Sequence, residues 1–143
     1  MIYTDQTKKA INIAYNAHMG QVNKKEEIPY IFHPIHLAEQ MDTEEECIVA
    51  LLHDVVEDTD VRMEDLEKEF SNTVIDALKL LTHDKKVDYM EYVAKIKNNP
   101  IARKVKLADL SHNMDKTRLI KITEEDIKRI EKYEKAKDLL LNN

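Results

Sequence analysis

The chain has 143 residues with 35% charged, a single Gly, three Pro and no Trp, enough for one ordinary domain with a buried core and short of the turns that sheet-rich folds need. Its formal charge of −6, from 28 acidic against 22 basic residues, argues against a broad nucleic-acid surface but admits a small phosphorylated ligand neutralised by a site-bound cation. No apolar run reaches the roughly 18 residues of a membrane span, Met1–Gln6 is too polar for a signal peptide, and the lone Cys47 has no partner, so a soluble, unanchored protein of the reducing cytoplasm is expected.

Apolar residues recur at helical spacing along most of the chain. Residues 5–19 read as a first helix with Ala10, Ile13, Ala14 and Ala17 on one face, stopped at Gly20. Residues 21–32 read as a charged loop, and Pro34 sits where the next helix can start. Thr43 and Glu46 form a capping box for a helix whose run Cys47-Ile48-Val49-Ala50-Leu51-Leu52 is apolar nearly all round and belongs at the centre of the fold. Further helices are expected over 61–70 and 73–82, from the Asp88/Glu91 capping pattern to about Lys97, and from Asn99-Pro100 through Asp109. Thr123 and Asp126 start a C-terminal amphipathic helix. No linker or repeat interrupts the series, so residues 1–143 are expected to form one all-α domain.

The central helix poses a physical problem. His53-Asp54-Val55-Val56-Glu57-Asp58 follows six apolar residues, and on a continuous helix Asp54, Glu57 and Asp58 share one side with His53. Carboxylates crowded there repel, are poorly solvated, and face the unfavourable C-terminal end of the helix dipole. A divalent cation removes most of that cost; a solvated helix end with His53 at the edge of the core is the plain alternative. His33, before the helix-starting Pro34, and Asp109, which interrupts an apolar face one turn before Asn113, are further polar groups in apolar settings. Each also has an ordinary structural reading: helix-cap partner, paired core acid, C-cap.

Four segments in order, Ala17-His18-Met19-Gly20-Gln21, Pro29-Tyr30-Ile31-Phe32-His33-Pro34, Ala50-Leu51-Leu52-His53-Asp54-Val55-Val56-Glu57-Asp58-Thr59 and Lys106-Leu107-Ala108-Asp109-Leu110-Ser111-His112-Asn113-Met114, resemble the HD-domain hydrolases of the RelA/SpoT-homologue group, in particular the small stand-alone alarmone hydrolases. The resemblance spans roughly residues 10–120. It implies a compact helical HD-domain fold in which His33, His53, Asp54 and Asp109 hold one divalent ion, manganese in the family. Fe²⁺, Co²⁺ and Zn²⁺ suit a mixed imidazole and carboxylate set as well. It further implies that Glu57 and Asp58 orient or deprotonate the attacking water, and that Asn113 contacts the substrate sugar or phosphate. His18 and Tyr30 match positions beside the pocket, and Lys24 and Lys25 are placed to meet phosphates or to remain solvated loop lysines. The implied reaction removes pyrophosphate from the 3′ position of guanosine 3′,5′-bis(diphosphate). With Asn143 as the last residue, hydrolysis without synthesis is the expectation.

The chain also departs from that pattern. Asn23 stands where the family carries an Arg that packs on the guanine base, and an amide does not replace a guanidinium stack. Leu110 replaces an Arg, and Asp115-Lys116-Thr117 replaces an Arg-Thr pair. A phosphohydrolase for another phosphorylated nucleotide is therefore the second reading; a catalytically silent alarmone sensor or partner-binding helical domain is the third, and retention of all six site residues speaks against it. Oligomeric state is left open.

Overall fold

The computed structural model describes residues 1–23 and 25–142. The described residues form nine α-helices, one two-stranded hairpin and one 3-10 turn: α1 Asp5–Ala17, β1 Val22–Asn23, β2 Ile28–Pro29, α2 Phe32–Glu39, α3 Glu44–Leu52, α4 Val55–Asp58, α5 Met63–Glu67, α6 Asn72–Leu81, α7 Tyr89–Ile96, α8 Pro100–Asn113, a 3-10 turn Lys116–Arg118, and α9 Glu124–Leu141. The fold is all-helical in class, and none of these helices is long and apolar enough to cross a membrane.

Helix boundaries follow local chemistry. Thr43 and Glu46 make the reciprocal capping box that starts α3, and Thr123 and Asp126 make another at α9. The Asn99 side chain accepts from Ala102 N–H ahead of Pro100, the first residue of α8. Helix α1 stops two residues before the expected 19, and Gly20 then takes φ +83°, a conformation open to glycine.

Helix α3 is the hub. All six residues from Cys47 to Leu52 are buried, and α3 packs against α1, α2, α6 and α8. Each large aliphatic side chain there contributes about 1.5–3 kcal/mol relative to exposure, so the helix position is set by its apolar surface. The ionisable groups that follow are carried to wherever that packing leaves them.

Two expectations are revised. The helix does not continue through Asp58: it ends at Leu52, His53 and Asp54 turn the chain, and the short α4 starts at Val55 with Asp54 (φ −108°, ψ 1°) before it. Glu57 and Asp58 therefore occupy the opening turn of a new helical segment, not the unfavourable end of α3. The 21–32 stretch is not wholly loop, because Val22 pairs with Pro29 and Asn23 with Ile28 in an antiparallel hairpin. Asn23 closes it, its carbonyl accepting from Glu26 and Glu27 N–H and its side-chain oxygen from Lys25 N–H.

Candidate metal centre and active site

His53 is the first ionisable group that the buried run of α3 delivers, and it is 4% exposed. Its Nδ1 lies 2.7 Å from the carbonyl oxygen of Ala50. A carbonyl only accepts, so Nδ1 carries a proton and Nε2 is the atom turned toward the site. There Nε2 is 2.9 Å from Asp54 Oδ2 and 3.6 Å from Asp109 Oδ1, yet it makes no hydrogen bond. A buried ring nitrogen facing two carboxylates without a bonded partner is stable only with a shared proton or cation.

Three other segments converge on the same point. From α2, His33 Nε2 lies 2.8 Å from Asp109 Oδ1. Asp54 is held at the kink by the hydroxyl of Tyr30, which donates to Oδ2. From α8, Asp109 accepts from Lys106 Nζ at 3.0 Å on Oδ2 and from Asn113 Nδ2 at 3.0 Å on Oδ1. Asp109 and Asn113 thus share a face, one helical turn apart. One donor atom from each of His33, His53, Asp54 and Asp109 falls within 4.8 Å of all the others. Two imidazoles and two carboxylates, with an orphaned nitrogen among them, fit a borderline divalent ion whose charge the two acids balance.

The electrostatics are those of a site arranged around positive charge. Burial resists ionisation of Asp109, but the Lys106 ammonium, then the hydrogen bond from His33 and the neighbouring His53 imidazole, hold it well below the usual carboxylate range. Burial likewise opposes Asp54, and His53 outweighs it, leaving Asp54 lowered. Burial disfavours a charged His53, but Asp54 and Asp109 overcome this and raise it well above its ordinary value.

Glu57 and Asp58 stand at the exposed rim beside Asp54, with one oxygen of each within 4.8 Å of the others. Glu57 Oε1 accepts from His83 N–H at 2.8 Å. Partial desolvation, then the negative charges of Asp54 and Glu57, push Asp58 up to about 6. These acids line a cavity of about 210 Å³ with Asp109, Lys106, Tyr89 and Tyr92. A second cavity of about 390 Å³ shares Asn113 and Tyr133 with the first, and its further walls are the hairpin with Tyr30, the segment around the 3-10 turn, and α9. Within it, Lys25 Nζ is 2.5 Å from Asp126 Oδ1, Arg129 donates to that same oxygen at 2.8 Å, and Arg118 pairs with Glu26.

The expected substrate residues separate. Asn113, Tyr30 and Lys25 line the larger cavity, with Lys25 spent on Asp126. His18 is buried behind Tyr30, ring centroids 4.8 Å apart, and lines a neighbouring apolar hollow beside Met19 and Phe32. Lys24 lies outside the described residues. Sequence reasoning missed Lys106, which is largely buried against Asp109 with the Tyr92 ring 5.3 Å from its ammonium. Its spacing of three from Asp109 was the available signal. The lining residues Tyr89, Tyr92, Tyr133, Arg118 and Arg129 carried none.

Comparison with known proteins agrees with this architecture. Residues 10–130 match the family model described as an HD domain. A Danio rerio protein named guanosine-3′,5′-bis(diphosphate) 3′-pyrophosphohydrolase MESH1 is 36% identical over 118 residues, 74% of this chain and 66% of its own length. The Escherichia coli K12 bifunctional (p)ppGpp synthase/hydrolase SpoT is 34% identical over 128 residues, 77% of this chain and 18% of its own. A Streptomyces coelicolor protein named GTP pyrophosphokinase is 32% identical over 142 residues, 90% of this chain and 17% of its own. The chain thus spans under a fifth of the two long relatives and just under two thirds of the fish protein. A solved structure described as a metazoan ortholog of SpoT that hydrolyses ppGpp superposes with a TM-score of 0.79 at 27% identity, covering 99% of this chain and 89% of that one. A family match over residues 10–130, together with a shared fold across almost the whole length, shows that this chain belongs to the HD-domain family.

Proposed function

We propose that this chain hydrolyses guanosine 3′,5′-bis(diphosphate) and the corresponding pentaphosphate to GDP or GTP and pyrophosphate, with Mn²⁺ held by His33, His53, Asp54 and Asp109. The observation that carries this reading is one juxtaposition. Asp54 and Asp109 of the four-residue cluster and the Glu57/Asp58 pair line one cavity, and that cavity shares Asn113 and Tyr133 with a second, larger one. A phosphoryl group in the first leaves its nucleoside in the second. The names of the fish pyrophosphohydrolase and of the metazoan SpoT ortholog support the substrate.

When bound, a divalent ion neutralises phosphoryl charge and acidifies water. The remaining work belongs to side chains. Asp58, raised to about 6, accepts the proton of the attacking water near neutral pH, and Glu57, anchored on His83 N–H, orients that water. Attack at the phosphorus attached to the 3′ oxygen breaks the bond between them. Pyrophosphate departs, and the 3′ oxygen takes up a proton. The Asn113 amide donates to Asp109, leaving its carbonyl free to accept from the ribose. Lys25 and Tyr30 line the nucleoside side, with His18 backing Tyr30. In this reading residues 1–143 act as one unit in cytoplasmic alarmone turnover, the stringent response.

A second reading, a phosphohydrolase for another phosphorylated nucleotide, is favoured by the larger cavity. Asn23 lines it where a base-stacking guanidinium is expected, and the described cations there are each paired with an acid. One experiment decides: the Mn²⁺-loaded protein is incubated with the tetraphosphate and a panel of phosphorylated nucleotides in ¹⁸O-water, and products are identified by mass. Labelled pyrophosphate with GDP supports the first reading. Orthophosphate from another nucleotide, with the tetraphosphate untouched, replaces it with the second.

A further inference from the structure

His112 belongs to the α8 motif, yet the proposed reaction gives it no task. Its Nδ1 lies 2.7 Å from His33 Nδ1. The two rings are only 5° from parallel with centroids 5.0 Å apart, too far for face-to-face stacking at that nitrogen contact. The imidazoles therefore meet edge to edge, and the short contact is an in-plane hydrogen bond. Two ring nitrogens at that distance need one proton between them, since two lone pairs or two N–H groups repel.

The position of the proton follows from the other side of His33. Its Nε2 faces Asp109 Oδ1 at hydrogen-bond distance and belongs to the metal-type cluster; a bound ion takes the place of the proton in that contact, and Nε2 must then present a lone pair. With an ion bound, His33 therefore carries its one proton on Nδ1 and donates it, and His112 Nδ1 accepts. Helix α8 thus flanks His33 of α2 at both ring nitrogens: Asp109 shares an ion or proton with Nε2 and, three residues on, His112 accepts at Nδ1. His112 is itself fixed by the His36 ring, 4.1 Å away between centroids, and by Arg118, which donates to its backbone carbonyl at 2.6 Å.

We infer that His112 is a positioning residue for the metal centre: as acceptor for His33 Nδ1–H, it sets the tautomer and the direction of a ligand 79 positions away in sequence. Outer partners of ligating histidines have this effect generally, and losing one costs about 10–100-fold in metal affinity or activity. Usually the acceptor is a carboxylate, a carbonyl or water. Here it is a second imidazole on the helix that also supplies a carboxylate ligand. The inference rests on the metal reading of the cluster and is independent of the nucleotide.

The test is Mn²⁺ titration of the full chain, followed by electron paramagnetic resonance of the free ion, for wild type, His112→Leu and His112→Asn. Asparagine places a carbonyl oxygen near the position of Nδ1 and restores an acceptor; leucine does not. The expected result is a dissociation constant about 10–100-fold weaker for His112→Leu, most of it recovered by His112→Asn, with thermal unfolding of the metal-free proteins unchanged. Equal affinity in wild type and His112→Leu, or no recovery with asparagine, overturns the role. Should either variant misfold, ¹⁵N NMR of the Zn²⁺-loaded wild type decides alone: a His33 protonated on Nδ1 supports the assignment, and an unprotonated Nδ1 overturns it. A wild type that takes up no divalent ion overturns this role and the metal reading together.

Discussion

His53 Nε2 sits 2.9 Å from Asp54 Oδ2 while the opposite nitrogen of the same ring is committed to the Ala50 carbonyl at 2.7 Å. The ring can meet that carboxylate only by taking a second proton or by sharing a cation with it. Without an ion the proton is favoured, because Asp54 and Asp109 outweigh the burial that opposes it and raise His53 well above 6.5.

On the proposed metal reading, ion and proton therefore compete for one nitrogen. Binding of Mn²⁺ at neutral pH is expected to release about one proton per ion, and the affinity to fall as pH is lowered. Calorimetry in buffers of different ionisation enthalpy measures the release; an observed enthalpy that does not depend on buffer refutes it. The stability consequence has a definite sign. A group whose folded value is raised stabilises the metal-free fold fully below about 6.5 and loses that contribution as pH climbs through the folded value. The gain in Tm on adding metal should accordingly grow with pH.

Glu57 and Asp58 are separable from the ligands by experiment. Glu57→Gln keeps a hydrogen-bond acceptor for His83 N–H but loses the charge, and is expected to lower kcat about 10²–10⁴-fold with metal stoichiometry unchanged. A base must be deprotonated to act, so kcat/KM should rise with pH through a limb near 6, the value to which Asp58 is pushed. Asp58→Asn should remove that limb. An acid limb that survives in Asp58→Asn assigns it to another group, and unchanged turnover in Glu57→Gln ends its proposed role.

Asp109 has two jobs with opposite faces, since Oδ1 looks into the cluster and Oδ2 holds the Lys106 ammonium, both side chains largely buried. Asp109→Ala should abolish metal binding and also strand a buried charge, at a cost of about 3–5 kcal/mol. Lys106→Met in the same chain removes the stranded charge, so the double variant should recover most of that stability while remaining metal-free. Urea denaturation of the three variants checks this. A double variant no more stable than Asp109→Ala would show that the loss came from packing.

How far all this could be read from residues alone depended on the range of the interaction concerned. Capping at Thr43/Glu46, Thr123/Asp126 and Asn99-Pro100 is local, and those helix starts were legible. The break after Leu52 was not, because Leu51 through Asp58 contains no Gly or Pro to announce it, and packing around α3 overrides local preference. The two-residue strands of the hairpin are too short to show a period. Polar residues stranded in apolar runs flagged His33, His53 and Asp109 individually, but only the fold brings segments 76 positions apart within 2.8 Å. The pairing of Lys25 with Asp126, 101 positions on, had no local trace at all.

That pairing supplies a test of the substrate. Asp126 is wholly buried and accepts from Lys25 at 2.5 Å and Arg129 at 2.8 Å on Oδ1, and from Thr123 N–H and hydroxyl at 2.9 Å on Oδ2. These donors hold its carboxyl below the usual range, Lys25 foremost. In Asp126→Asn the amide oxygen can keep the Thr123 contacts that start α9, but its nitrogen accepts nothing, so Lys25 and Arg129 lose their shared counter-charge beside the larger cavity. If that cavity receives the 5′-phosphates of the nucleotide, KM for the tetraphosphate should fall about fivefold at low salt with kcat unchanged, and the gain should fade as ionic strength rises. The pentaphosphate, with one more phosphoryl group, should gain more. If the released cations meet no phosphate, KM is the same or higher in the variant, and the 5′ end of the substrate lies elsewhere.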